Sequence, residues 1–241
     1  MKKMYVQYRA ETYETIKIVL KFAFKKAEEL SLDLIMLTDK RKSQVLDMNL
    51  VKGIIKQIRN YGKHKNVNYS FETLLTYKNL NPKDIIVGLS ISLKDYDKLD
   101  TIARENFIIA TELNNGQLDV WKKRWGAIDI ENPERKQEEI ILDPVLKTCL
   151  DELTSRINVS TGISHKNDEE KAKTYIEVLV EYKIPIDCEN IKSYLIKNYW
   201  GYDQAEKFVM LLKRKYSGGR IQGSNKTDLQ KHYDRWKSNT R

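Results

Sequence analysis

Only two cysteines, Cys149 and Cys188, and three histidines occur in 241 residues. That rules out a disulfide scaffold and a Cys/His zinc knuckle. Widely spaced single thiols fit a reducing compartment, so a cytoplasmic address is expected. Prolines number four and glycines ten, while 41% of the chain is apolar and 10% aromatic, which argues against disorder and low complexity. Lys or Glu breaks every apolar run before it reaches eighteen residues, so no membrane-spanning helix and no membrane partner are expected. Met1-Lys2-Lys3 leads into a mixed polar stretch without the apolar segment of a secretory signal. Glycine-rich phosphate loops are missing as well. The turn after the first expected strand reads Tyr8-Arg9-Ala10-Glu11-Thr12, whereas a dinucleotide pyrophosphate needs glycines for close backbone approach. No Gly-Lys-Ser/Thr phosphate loop and no Gly-x-Ser-x-Gly elbow occurs, and no cofactor is implied.

What is present is an alternation of strands and helices followed by helices alone. Met4–Tyr8 reads as a strand, and Thr12 opens a helix with Ile16, Val19, Leu20, Ala23, Phe24, Ala27 and Leu30 on one face. Leu32–Leu37 is a buried-looking strand, followed by a helix carrying Leu46, Leu50, Ile54, Ile55 and Ile58 inward and stopping near Tyr61-Gly62. Further strands are expected at Val67–Phe71, Ile85–Ile91, Phe107–Thr111 and Ala127–Ile130. Near-continuous apolar strands between helices point to an α/β fold, a Rossmann-like, mostly parallel sheet covered on both faces, over residues 1–132. The run Glu131–Glu139 holds no apolar residue and reads as a linker. A C-terminal all-helical domain over 140–241 follows, opened by Asp143-Pro144 as N-cap and first helical residue.

Charge is unevenly placed. Forty-three basic residues face thirty-four acidic ones, a net charge of +9, and residues 201–241 alone carry ten basic against four acidic residues. Lys213, Arg214, Lys215, Arg220, Lys226, Lys231, Arg235 and Lys237 lie among Tyr216, Tyr233 and Trp236. Such a segment draws a phosphate backbone through counterion release, and its rings are of the kind that stack on unpaired bases. The competing account is a solvated basic helix whose aromatics pack inward. Residues 187–216 have the outline of a helix-turn-helix, but Asp203 and Glu206 in the first turn of its second helix would meet phosphates with like charge.

Ligands of open parallel sheets bind beyond the carboxyl ends of the strands. The sequence places Arg9, Asp39, Asp95 and Glu112 there. Carboxylates beside cations are what a magnesium ion held against a phosphate requires; equally, Asp39 and Asp95 have the positions of helix caps. Trp121-Lys122-Lys123-Arg124-Trp125 puts two indoles four residues apart, on one helical face with cations beside them. Trp121 and Arg124 therefore join the candidate ligand site, against the alternative that the tryptophans form the inner face of a covering helix. No catalytic residue and no metal ligand is assigned. The leading expectation is a nucleic-acid-associated protein gripping a phosphate backbone with its basic helical region. The others are an enzyme or sensor for a nucleotide or phosphorylated small molecule at the strand ends, and an adaptor for a protein partner or a second copy of itself.

Overall fold

The computed structural model describes residues 2–7, 12–38, 61–77, 83–112, 114–136, 139–159 and 161–240. The chain divides into two units, Met1–Glu139 and Ile140–Arg241. Among the described residues are seven strands and eight α-helices, the helices of the second unit forming its whole architecture.

The first unit holds β1 (Lys3–Val6), α1 (Thr12–Leu30), β2 (Leu34–Thr38), β3 (Tyr61–His64), β4 (Val67–Thr73), β5 (Ile85–Ser90), α2 (Leu93–Ile102), β6 (Phe107–Thr111), α3 (Asp119–Trp125) and β7 (Ile128–Asp129). The strands form one sheet in the order β3-β4-β2-β5-β6-β1-β7. Every neighbouring pair is parallel except β3 and β4, which form an antiparallel hairpin. Successive side chains of a strand point to opposite faces, and here both faces are dry. Val6, Met36, Val87 and Ile109 meet Ile16, Leu20 and Phe24 of α1. Tyr5, Leu37, Ile86 and Ile108 meet Tyr96 and Leu99 of α2 and Trp121 of α3. That double burial is why the strands carry continuous apolar runs.

Two features of this sheet position its candidate sites. β1 and β2, joined by α1, are separated by β5 and β6. β2 is followed by β3 and β4 on one side and β5 by β6 on the other, so the chain leaves these adjacent strands in opposite directions. The Tyr96 hydroxyl donates to Gly88 O at 3.1 Å and accepts from Thr111 N at 3.0 Å, tying β5 to β6. A Cβ on Gly88 would overlap the Tyr96 ring, so that seat requires glycine.

The helix expected over Leu46–Ile58 lies outside the described residues. Tyr61-Gly62, expected as its end, instead opens β3. The hairpin closes through Lys65-Asn66 with Lys65 in the left-handed region at φ 54°, and His64 pairs with Val67. Four residues reading Tyr-Gly-Lys-His carry no alternation, so pairing with β4 rather than intrinsic pattern makes them a strand.

The second unit comprises α4 (Pro144–Arg156), α5 (Lys166–Glu181), α6 (Cys188–Lys197), α7 (Tyr202–Tyr216) and α8 (Leu229–Ser238), with a 3₁₀ turn at Gly162–Ser164. Asp143 caps α4 by accepting from Val145 N and Leu146 N at 2.8 and 3.1 Å, and Asp187 caps α6 likewise. One apolar cluster runs through all five helices, with Leu150, Ile176, Leu195, Phe208 and Trp236 buried in it. Trp200 is buried in the α6–α7 turn and donates from Nε1 to Thr154 Oγ1 at 3.0 Å. Among the described residues no helix is long and apolar enough to cross a membrane.

Candidate nucleic-acid interface and buried charge centres

The basic tail of the second unit sorts into cations that are consumed internally and cations that are not. Glu152 on α4 draws α8 onto the bundle. Its Oε2 accepts from Arg235 Nε at 3.0 Å and Trp236 Nε1 at 2.8 Å, and its Oε1 from the Tyr175 hydroxyl at 2.6 Å and Arg235 Nη2 at 2.5 Å. Arg156, one turn on, adds Nε at 2.8 Å. Desolvation pushes the Glu152 carboxyl up, but donation from Tyr175, Trp236 and Arg235 outweighs it and holds the group below the ordinary carboxylate range. His232 Nδ1 stands 2.8 Å from Arg235 Nη2. A guanidinium has only donors, so this nitrogen accepts and the ring is neutral. Burial first, then the Arg235 charge, lowers the His232 pKa.

Glu177 on α5 is a second internal acceptor, only 6% exposed. It accepts from Ser224 Oγ at 3.1 Å and pairs with Lys215 at 3.0 Å and, more loosely, with Lys226 at 3.8 Å. Asn225 N donates to Thr174 Oγ1 at 3.0 Å. The segment between α7 and α8 is thereby stitched along α5.

The tail aromatics also point inward. Tyr216 donates to Leu179 O and Ile184 O at 3.0 and 2.6 Å, Tyr233 stacks on Tyr182 with ring centroids 3.9 Å apart, and Trp236 is fully buried. Trp236 is thereby withdrawn from stacking on bases, while Tyr216 and Tyr233 are half-buried. Lys213, Arg214, Arg220, Lys231 and Lys237 remain exposed. None of these five is ion-paired to a carboxylate among the described residues. Lys213 and Arg214 sit in the last turn of α7, Arg220 follows it, and Lys231 and Lys237 lie on α8.

The strand-end candidates of the first unit fall into separate partnerships. Arg9 and Asp39 lie outside the described residues. Asp95 caps α2: its Oδ2 accepts from Ser92 N at 3.2 Å and Ser92 Oγ at 2.7 Å, while Ser92 Oγ accepts from Asp95 N. Glu112, just past β6, is buried and accepts from Lys122 Nζ at 3.1 Å. Lys122 is also 2.7 Å from Asp119 and lies over the Tyr5 ring. Burial works against the Lys122 charge, yet Asp119 and Glu112 raise its pKa overall.

Trp121 and Arg124 are brought together by a residue the sequence reading passed over. Asp100 on α2 is fully buried and accepts from Trp121 Nε1 at 3.3 Å, Trp125 Nε1 at 2.7 Å and Arg124 Nη1 at 3.0 Å. The same Nη1 stands 2.7 Å from Asp97. Lys3 approaches the Trp125 ring at 5.3 Å and donates to Arg104 O and Asn106 O. Its desolvation, partly offset by Asp100, lowers its pKa to about 8. The missed signal was positional: Asp97 and Asp100 interleave with Tyr96, Leu99 and Ala103 on the stripe of α2 that faces the sheet. Among the described residues no three His, Cys, Asp or Glu side chains are grouped as metal ligands would be.

A family model described as a domain of unknown function (DUF1889) matches residues 142–237. The matched stretch covers α4 to α7 and α8 as far as Lys237, with Glu152, Glu177 and the exposed cations among its residues. No curated protein and no solved structure matches the chain.

Proposed function

We propose that the helical unit binds the phosphate backbone of a nucleic acid through Lys213, Arg214, Arg220, Lys231 and Lys237. The observation that carries this reading is the sorting of the tail. Lys215 and Arg235 are taken up by internal carboxylates and Lys226 is only loosely paired, whereas these five are exposed and not ion-paired to a carboxylate among the described residues. Because Trp236 is buried and Tyr216 and Tyr233 are half-buried, recognition rests mainly on phosphates and carries little sequence preference. The two free thiols, Cys149 buried and Cys188 half-buried, suit a cytoplasmic protein.

The test is fluorescence anisotropy with labelled single-stranded and duplex oligonucleotides at several salt concentrations. Affinity should fall steeply with salt, log K against log[salt] sloping at about −4.5 on duplex if all five cations engage. Absence of binding at low salt would overturn the reading.

A second reading concerns the first unit, which we infer to be a Rossmann-like variant binding a phosphorylated small molecule. It is favoured by the divergence of the chain from β2 and β5, since ligands of open parallel sheets settle at such switch points. Thr38 and Ser90 are paired at that end of the two strands, and Asp95 follows. A nucleotide screen by thermal shift should then show stabilisation that survives neutralisation of the tail.

A further inference from the structure

A groove of about 260 Å³ lies between α1 and the β3–β4 hairpin. Lys21 and Lys25, one helical turn apart on α1, and Lys65 at the hairpin tip face it, with Glu28 as the single carboxylate. Three cations against one anion leave a surplus positive charge in a concave space. The existing pairings are loose: Lys65 is 3.8 Å from Glu28, and Lys25 is 4.0 Å from Glu29, all with substantially exposed side chains. Exposed pairs at such distances contribute little, so a phosphate dianion competes for these lysines at small cost.

One wall is aromatic. Phe24 and His64 line the groove and meet edge to face with centroids 4.9 Å apart, and Tyr69 buttresses Phe24 from behind at 6.0 Å. Phe24 is only 7% exposed, so the half-buried His64 ring, backed by Phe24, presents the aromatic surface beside the lysines. Lys65 is held in place by its backbone, since the two-residue turn fixes it at φ 54°. The groove sits by the second half of α1 and the start of β4, the opposite end of the sheet from the carboxyl ends of the strands.

We propose that this groove binds a nucleoside monophosphate, with its phosphate among Lys21, Lys25 and Lys65 and its base against Phe24 and His64. Lysines act as point charges on phosphate, and the ring pair selects a planar substituent over a bare anion. The site is independent of the cations of the helical unit.

The test is proton NMR of the full-length protein titrated with adenosine 5′-monophosphate, inorganic phosphate and adenosine. The chain has only three histidines, so the ring protons of His64 can be followed beside those of His165 and His232. The nucleotide should move the His64 signals saturably and leave the other two in place. Lys21→Gln with Lys25→Gln should weaken binding about tenfold, a difference of about 1.4 kcal/mol. Lys65→Gly removes the third cation while relieving the left-handed backbone, so the variant keeps its fold and still loses affinity several-fold. The proposal is overturned if His64 does not respond, if all three histidines shift alike, or if the lysine variants bind as the parent does. Inorganic phosphate binding as tightly as the nucleotide would overturn the assignment of the ligand class.

Discussion

Asp100 in the α/β unit and Glu152 in the helical unit hold a carboxylate in place by the same chemistry but with different access to water. Each accepts from a tryptophan indole and from an arginine: Trp121, Trp125 and Arg124 for Asp100, Trp236, Arg235 and Arg156 for Glu152 with the Tyr175 hydroxyl added. The Asp100 and Arg124 side chains are wholly buried, whereas the Glu152 side chain is 14% exposed and that of Arg235 35%. In the first unit the charge is sealed under the sheet and locks α2 to α3. In the second it lies at the rim and fastens the last helix to the bundle. A tract of mixed cations and aromatics therefore does not by itself mark a ligand surface, because an internal carboxylate recruits the same residue types. On the proposed reading, the cations that meet a ligand are those left over once such acceptors are served.

The largest expected effect comes from breaking the sealed centre. Asp100→Ala strands Arg124 and two indole donors without water, and removing one partner of a buried pair costs about 3–5 kcal/mol. Urea denaturation should show that loss, and a change under about 1 kcal/mol would mean Asp97 alone satisfies Arg124. At the rim, Glu152→Gln keeps the shape and part of the hydrogen bonding but removes the charge, so about 1–3 kcal/mol is expected. The loss should concentrate in α8, read as faster amide exchange over residues 229–238.

Acid sharpens the contrast between the two centres. Glu152 and His232 both titrate below their ordinary values of 4.5 and 6.5 in the folded protein. A depressed pKa contributes stability that is fully present above the unfolded value and is lost as pH falls through the folded one. The His232 contribution is therefore intact above pH 6.5 and declines below it, and the Glu152 contribution declines below pH 4.5. Both losses loosen α8, so amide exchange there should accelerate on acidification, with His232→Gln removing the earlier of the two phases.

The architecture was largely legible because it rests on local pattern. The apolar face of α1, the runs of β2, β5 and β6, and the cap Asp143 are visible in windows shorter than twenty residues, and the structure contains them. β3 escaped because only its partner β4 makes it a strand. The charge centres escaped for a related reason. Arg235 meets Glu152 from 83 residues away, and Arg124 meets Asp100 from 24, so the partner that consumes each cation lies outside any local window. Tyr216, Tyr233 and Trp236 read as base-stacking rings in sequence, while the groups that engage them, the Ile184 carbonyl, Tyr182 and Tyr175, come earlier in the chain.

The smallest expected effect on stability comes from the exposed cations. Lys213→Gln or Lys231→Gln should change it by no more than about 0.5 kcal/mol, as surface substitutions do. Their effect on binding should be the reverse, and this provides the most direct measurement: the salt slope of duplex binding by two variants of matched charge loss. One replaces Lys213 by Gln, the other Lys215, which Glu177 already occupies. The sorting of the tail predicts that the first variant loses about one unit of slope and part of its affinity, while the second keeps both. Equal losses in the two variants, or none in the first, would contradict it.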